Sequence, residues 1–277
     1  MLTIRAYAKV NLYLEVVGKR ADGYHEIQTL YQNIDIYDTL RFSHREKGFT
    51  LRSNVPLPED NSIKMGYEYM KTYFGIEGLG VEVTKGIPLS SGLGGESSDY
   101  ATTIRAINEL FSLSLSLDAL DTKQMGSDVL FFLSGGGSAI GRGRGDILEF
   151  ISLPIEDYKC LVVKPFIDIS TKTAYERIIP EEFGKIRELV RAYEDIDIEG
   201  IKTNSFNNFE KTVREIYPTL DLIKRDVAEA GTSVQIMTGS GSAVFGISTG
   251  NIFPERLKRR YEFIHTGGFI DRAYEFL

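Results

Sequence analysis

One cysteine, three histidines and no tryptophan among 277 residues exclude several kinds of chemistry at once. Cys160 has no partner for an intrachain disulfide, and with only His25, His44 and His265 beside it a Cys/His zinc cage is nearly ruled out. A reducing, cytoplasmic setting is expected. No stretch approaches the ~20 apolar residues of a membrane span, and Met1-Leu2-Thr3-Ile4-Arg5 lacks the long apolar segment of a signal peptide. No membrane partner is therefore expected. Positive charge is also short: Lys and Arg total 32 against 39 Asp and Glu, a formal charge of −7. A surplus of acid repels a phosphate backbone, so nucleic acid is not an expected partner. Internal repeats, charge blocks and low-complexity tracts are absent. At roughly 150 residues per domain, the length allows one large domain or two modest ones, either with a sizeable core.

Glycine is in excess. It supplies 27 of the 277 residues, above the usual ~7% and without a collagen period, so the surplus belongs to special backbone sites. Around those sites the chain reads as alternating elements. Val10, Leu12, Leu14 and Val16 alternate with Asn11, Tyr13 and Glu15, the pattern of a half-buried strand over 2–17. An Asp22-Gly23 turn and short strands at 34–36 and 40–42 continue it as a hairpin or meander. Ile63, Tyr67, Met70 and Phe74 fall at helical spacing, ended by Gly75 and Gly78, and a strand follows at 81–83. After a long loop over 85–98, Ala101, Ile104, Ile107 and Phe111 mark another helix, with a further one expected over 117–125. Apolar residues 129–133 precede a glycine-rich hairpin over 135–146. Pro154 marks a boundary, giving domains 1–153 and 154–277. The second half reads as α+β: a strand at 159–163, helices near 170–178, 180–194, 206–217 and 218–230, and two strands flanking 237–243.

The sharpest motif is Pro88-Leu89-Ser90-Ser91-Gly92-Leu93-Gly94-Gly95-Glu96-Ser97-Ser98-Asp99, between a strand and a helix. Glycines let backbone N–H groups approach an anion, and a helix N-terminus adds unpaired donors and about half a positive charge. A mobile loop with a Ser/Asp helix cap would share some of these residues. Proline, three glycines and several serines packed against one helix start favour a polyphosphate ligand. The loop is neither a Walker G-x-x-x-x-G-K-[ST] nor a dinucleotide G-x-G-x-x-G motif.

The order of three motifs resembles the GHMP superfamily of small-molecule kinases: Ala8-Lys9-Val10-Asn11-Leu12, then Pro88 to Asp99, then Met237-Thr238-Gly239-Ser240-Gly241-Ser242-Ala243. The likeness covers nearly the whole chain. It implies an α+β, two-domain fold, with an N-terminal ribosomal-S5-domain-2-like domain and a C-terminal ferredoxin-like α+β domain. Arg20 to Glu26, Gly126-Ser127-Asp128-Val129, Lys164-Pro165 and Ser170-Thr171 further resemble the branch that acts on a cytidyl-diphosphate sugar alcohol in non-mevalonate isoprenoid synthesis. The resemblance implies transfer of the ATP γ-phosphoryl to a tertiary 2-hydroxyl, with ATP and Mg²⁺ required, and leaves the metal ligands open.

Taken alone, Asp128 before an apolar run is most simply a helix cap and Lys9 a solvated strand residue. The resemblance makes them the catalytic pair, with Asp128 accepting the hydroxyl proton and Lys9 beside it. It assigns the backbone and hydroxyls of Pro88, Gly92, Leu93, Gly94, Gly95, Ser97 and Ser98 to the phosphates, and Asn61 and Lys85 to the nucleotide pocket. Asn11 would bond the polyol, Tyr24 and Tyr175 would sandwich the cytosine while His25 reads its edge, and Gly239, Ser240 and Gly241 would close the site from the second domain. Arg142 and Arg144 are within the glycine-rich hairpin and could reach a diphosphate. Three residues depart from the family pattern: Glu96 for a glycine, Leu130 for a proline, and Asn208 for an aspartate. Two other readings remain at this point: a GHMP kinase for mevalonate or homoserine, which needs no Tyr24-His25-Tyr175 set, and a silent ligand sensor, which has no reason to keep Lys9 and Asp128.

Overall fold

The computed structural model describes residues 1–117, 120 and 126–277. The helix expected over 117–125 lies almost wholly outside them. Twelve strands order the rest. β1 (Leu2–Lys19) and β2 (His25–His44) form one long antiparallel hairpin around the Asp22-Gly23 turn. The two short strands expected at 34–36 and 40–42 are therefore parts of a single 20-residue β2. Its length has a cause. One edge runs along β1, while the other edge pairs in succession with β5 (Ser138–Arg142), β11 (Phe263–Ile270) and β4 (Gly78–Thr84). β3 (Gly48–Ser53) lies parallel to β4, joined by helix α1 (Ser62–Phe74). Asn61 caps α1 by accepting from the Lys64 amide, and Gly75 ends it in the left-handed conformation, φ +70°. Gly78 does not stop the helix; it begins β4.

Helix α2 (Gly95–Leu110) starts inside the glycine-rich loop and packs on β1, α1 and the short α3 (Val129–Leu133). β5 and β6 (Ile147–Ile151) form the glycine-rich hairpin. Beyond it, β7 (Lys159–Lys164), β10 (Val244–Ser248), β9 (Val234–Met237) and the first part of β11 make an antiparallel sheet. Helices α4 (Thr171–Arg177), α5 (Ile186–Glu194), α6 (Ile198–Asn204), α7 (Phe209–Ile216) and α8 (Leu220–Glu229) complete that half. Helix α5 is shorter than the expected 180–194, and Gly184 at φ +68° lies just ahead of it. The two halves share strands: the last residues of β11 pair with β2, β12 (Tyr274–Phe276) returns to β1, and the two-residue β8 (Phe206–Asn207) pairs with β1 in parallel.

This sharing buries β1 on both faces, which corrects the half-buried reading. Lys9, Asn11 and Glu15 are each at most 3% exposed. Buried polar groups need partners, and these have them. Glu15 accepts from the amides of Phe183 (2.9 Å) and Gly184 (3.3 Å) and from the Tyr13 hydroxyl. The polar face of the strand is thus the seam where the second half docks. Asn208, one of the three departures, serves the same seam, accepting from the Val16 amide and donating to the Ile179 carbonyl. An aspartate there has no N–H for the second bond. Among the described residues, no helix is long and apolar enough to cross a membrane.

Candidate active site

Lys9 is buried on β1, and its ammonium meets three acceptors: Asn11 Oδ1 at 2.7 Å, the Gly92 carbonyl at 3.1 Å and Asp128 Oδ2 at 3.1 Å. Three N–H groups matched by three acceptors fix the side chain without freedom to rotate. Asp128 precedes α3, yet its carboxylate makes no capping bond. Its oxygens go instead to Lys9 and to Tyr31, whose hydroxyl donates to Oδ1 at 2.9 Å. Tyr31 is fully buried on β2 and stacked on Phe131, with ring centroids 4.8 Å apart. Burial first, and then the Asp128 charge, push its hydroxyl well above the ordinary tyrosine range. It therefore stays protonated and remains a donor. Tyr31 was invisible in the sequence: the residue faces Asn11 across the hairpin because the β1–β2 register shifts twice between the turn and this pair, between Val16 and Gly18 and between Asn11 and Tyr13.

Asn11 holds the first motif to the third. Its Oδ1 also accepts the Gly239 amide at 3.0 Å, and its Nδ2 donates to Thr29 Oγ1 at 2.8 Å. The side chain expected to bond a polyol is thus engaged on both ends with protein. The glycine loop and the third motif meet directly. The amides of Ala243 and Ser242 donate to the carbonyls of Ser91 and Ser90, and the Lys9 amide donates to the Leu93 carbonyl. Gly92 has φ +77°, and a Cβ there would lie 2.2 Å from the Thr238 carbonyl oxygen. Only glycine permits this approach.

The resulting cleft, about 390 Å³, is lined by Lys9, Asn11, the loop from Pro88 to Ser97, Asp128, Tyr175 and the turn Gly239 to Gly241. Two expected phosphate or nucleotide residues are not brought to it. Ser98 is inside α2, with its hydroxyl turned to the Tyr7 carbonyl at 2.8 Å. Asn61 is the α1 cap, its Nδ2 on the Pro58 carbonyl. Glu96 is exposed in the first turn of α2, on the cleft wall, where a carboxylate is favoured by the helix dipole.

Lys85 reaches the cleft wall, but its ammonium is held between Asp38 and Asp99, the latter at 2.6 Å. Asp38 Oδ1 in turn accepts the amides of Gly86 (2.7 Å) and Ile87 (2.8 Å), anchoring the start of the glycine loop to β2. Burial and then the neighbouring Asp38 charge push the Asp99 carboxyl up to about 8, against the pull of Lys85. Folding thus raises the affinity of Asp99 for its proton. The associated stabilisation is complete below the ordinary carboxyl value of 3.8 and is lost as pH rises through about 8. Asp99→Asn should therefore flatten the decline in melting temperature between pH 6 and pH 9. Parallel profiles for parent and variant would contradict this account.

The expected base slot differs in detail. His25, not Tyr24, lies against Tyr175, with ring centroids 5.1 Å apart and planes at 33°. A base between two rings needs two stacking gaps, roughly 7 Å, so these rings do not admit one as they stand. Tyr24 instead lies under the Arg144 guanidinium, 3.8 Å from its ring centroid, and Arg144 reaches the cleft wall. Burial and the Lys19 charge hold the His25 imidazole below its ordinary value, leaving it neutral near pH 7 with one donor and one acceptor. Arg142 is turned to Glu149 at 3.3 Å.

The fold is that of a kinase of the GHMP type: residues 61–136 match the family model described as the GHMP kinases N terminal domain. A solved homoserine kinase from Cytophaga hutchinsonii shares the fold, with a TM-score of 0.75 at 21% identity over 100% of this chain and 97% of that one. The sequence narrows the class. It is 45% identical, over 87% of its length and 90% of the relative's, to the 4-diphosphocytidyl-2-C-methyl-D-erythritol kinase of Thermotoga petrophila. It is 34% identical to that of Bacillus pumilus over 98% and 94%. A crystal structure of 4-(cytidine 5'-diphospho)-2C-methyl-D-erythritol kinase superposes with a TM-score of 0.79 at 29% identity, covering 96% of this chain and 98% of that one. The chain belongs to the 4-diphosphocytidyl-2-C-methyl-D-erythritol kinase family.

Proposed function

We propose that this protein transfers the γ-phosphoryl group of ATP to the 2-hydroxyl of 4-diphosphocytidyl-2-C-methyl-D-erythritol in isoprenoid precursor synthesis, with the active site in the cleft between halves 1–153 and 154–277. The observation that carries the chemistry is the Lys9 ammonium, bonded at once to the Asp128 carboxylate and to the glycine loop. The loop amides at the start of α2 cradle the phosphates. Asp128 accepts the proton of the attacking hydroxyl and aims its oxygen at the γ-phosphorus. Lys9 supplies fixed positive charge beside the oxygens of a loose, metaphosphate-like transition state. Tyr31 holds the carboxylate in plane. Little covalent work falls to the protein, so positioning is the larger demand.

Mg²⁺ takes oxygen ligands and is usually held through one or two carboxylates plus the substrate phosphates. The cleft wall fits that habit: it carries Glu96, Asp128 and the Ser97 hydroxyl. Among the described residues, no cluster of three or more metal-binding side chains forms a ready cage. When bound, the metal would neutralise phosphate charge, and Glu96 would be its carboxylate anchor, since both Asp128 oxygens are taken by Lys9 and Tyr31.

Tyr175 provides the face on which cytosine stacks, with His25 displaced to the polar edge of the base and Arg144 beside the diphosphate. Tyr175→Ala should raise KM for the cytidyl substrate about tenfold, the value of one aromatic stacking contact, and leave KM for ATP unchanged. Equal damage to both constants would mean that the base binds elsewhere. Substrate choice is tested by coupled ADP release with the cytidyl substrate, mevalonate and homoserine. Turnover confined to the first is expected, and turnover of either alternative at a comparable rate would overturn the assignment.

A further inference from the structure

A second cavity, about 350 Å³, opens on the C-terminal half between α6, β8, α7 and β9 and shares no lining residue with the active-site cleft. Its wall carries four cationic side chains, Lys202, Lys211, Arg214 and Lys224, against two carboxylates, Glu181 and Glu210. With Asp221, which pairs with Arg214, counted as well, the local excess is one positive charge on a chain of formal charge −7. Part of the charge is internally settled: Lys224 pairs with Glu210 at 2.6 Å and Arg214 with Asp221 at 2.8 Å. Lys202 and Lys211 are exposed at the cavity rim and have no carboxylate within ion-pair distance among the described residues. A second observation points the same way. Ser205 lines this cavity, and its hydroxyl is buried with no hydrogen-bond partner among the described residues. A buried unpaired hydroxyl is costly unless something else completes it. The volume lies in the range of small-molecule sites.

We propose that this cavity binds a small, doubly charged anion of the phosphate type, with Lys202 and Lys211 neutralising it and the Ser205 hydroxyl donating to one of its oxygens. The site is also linked to the wall of the candidate active-site cleft. Asn207 lines the cavity, and its Nδ2 donates to the carbonyls of Met237 (2.6 Å) and Gly239 (2.9 Å), at the third glycine turn.

The test is calorimetric titration of the full chain with inorganic phosphate at constant ionic strength, with the cleft first saturated by a non-hydrolysable ATP analogue. Saturable binding is expected. It should weaken at least tenfold in Lys202→Ala/Lys211→Ala and about tenfold in Ser205→Ala, the value of a hydrogen bond to a charged group. Among the described residues Lys202 and Lys211 make no ion pair, so the lysine variant should keep the parent melting temperature, and Ser205→Ala, which removes an unpaired buried hydroxyl, should not lower it. Absence of binding with the cleft filled, or equal affinity in the variants, would overturn the site. Succinate binding as tightly as phosphate would overturn the phosphate assignment.

Discussion

Asp128→Asn is expected to lower kcat by roughly 10²- to 10⁴-fold, the usual contribution of a positioned general base, with KM for both substrates changed little. The argument is geometric. Asparagine keeps the shape and can still accept from Tyr31, but it cannot take a proton from the attacking hydroxyl, and the charge opposite Lys9 is gone. An interaction made only in the transition state appears in kcat and in kcat/KM equally. Lys9→Met should cost a similar factor for a complementary reason. It removes the charge that faces the transferring group, and with it one bond each to Asn11 Oδ1, which keeps the Gly239 amide, and to the Gly92 carbonyl, which keeps the Thr238 hydroxyl 3.3 Å away. Each variant also leaves the partner's charge unpaired in a largely buried site, which is destabilising, so both should lose melting temperature. The double variant should be no worse in kcat than the poorer single one, because the two side chains act as one unit. Near-normal turnover in both single variants would remove the mechanism; multiplicative losses would mean that they act independently.

How far the sequence leads depends on what each residue's role is made of. The glycine loop, the third glycine turn and the α1 periodicity were legible because backbone chemistry leaves a composition signal: Gly92 and Gly239 stand at positive φ, and Ile63, Tyr67 and Met70 share a buried face. The pairing of Lys9 with Asp128 was legible only through family resemblance, since 118 residues lie between them and nothing local tells a proton-accepting Asp from a cap. The failures are instructive in the same terms. Ser98 reads as part of a phosphate loop, but α2 already begins at Gly95, so helical geometry turns its hydroxyl inward to Tyr7. Asn61 reads as a pocket residue, and its local role as an N-cap prevails. Asn11 reads as a free hydrogen-bonding group, yet the second half docks on that strand face and consumes it. Tyr31 and the Lys85–Asp38–Asp99 cluster depend on cross-strand register and on long-range pairing, which one sequence does not display. β11 was missed because Gly267 and Gly268 break its apolar pattern. A Cβ at Gly267 would lie 2.0 Å from Asp35 Oδ1, so packing excludes the β-branched residues that usually mark a strand.

The second large effect is expected at Gly92. Gly92→Ala places a methyl group 2.2 Å from the Thr238 carbonyl oxygen and 3.1 Å from that of Gly241, far inside van der Waals contact, at a backbone φ of +77°. Both obstacles are backbone, so no side chain can swing away. Either the residue leaves the left-handed region or the phosphate loop separates from the third turn, and either change displaces the carbonyl that holds Lys9. Strain alone is worth roughly 1–3 kcal/mol. The loss of registry should be worse for function, since even a 1 Å displacement of a reacting group can cost on the order of 100-fold in rate. We expect a fall of at least about 100-fold in kcat/KM for both substrates, together with a lowered melting temperature. Gly48→Ala separates the causes: Gly48 has nearly the same φ, +78°, but nothing within 4 Å of where a Cβ would lie. It should share the loss of stability from left-handed backbone and keep its turnover. If Gly48→Ala and Gly92→Ala lose activity alike, strain and not the contact between the two glycine turns governs the site. If Gly92→Ala retains full turnover, the close approach of Gly92 to Thr238 is not needed to hold Lys9 in place.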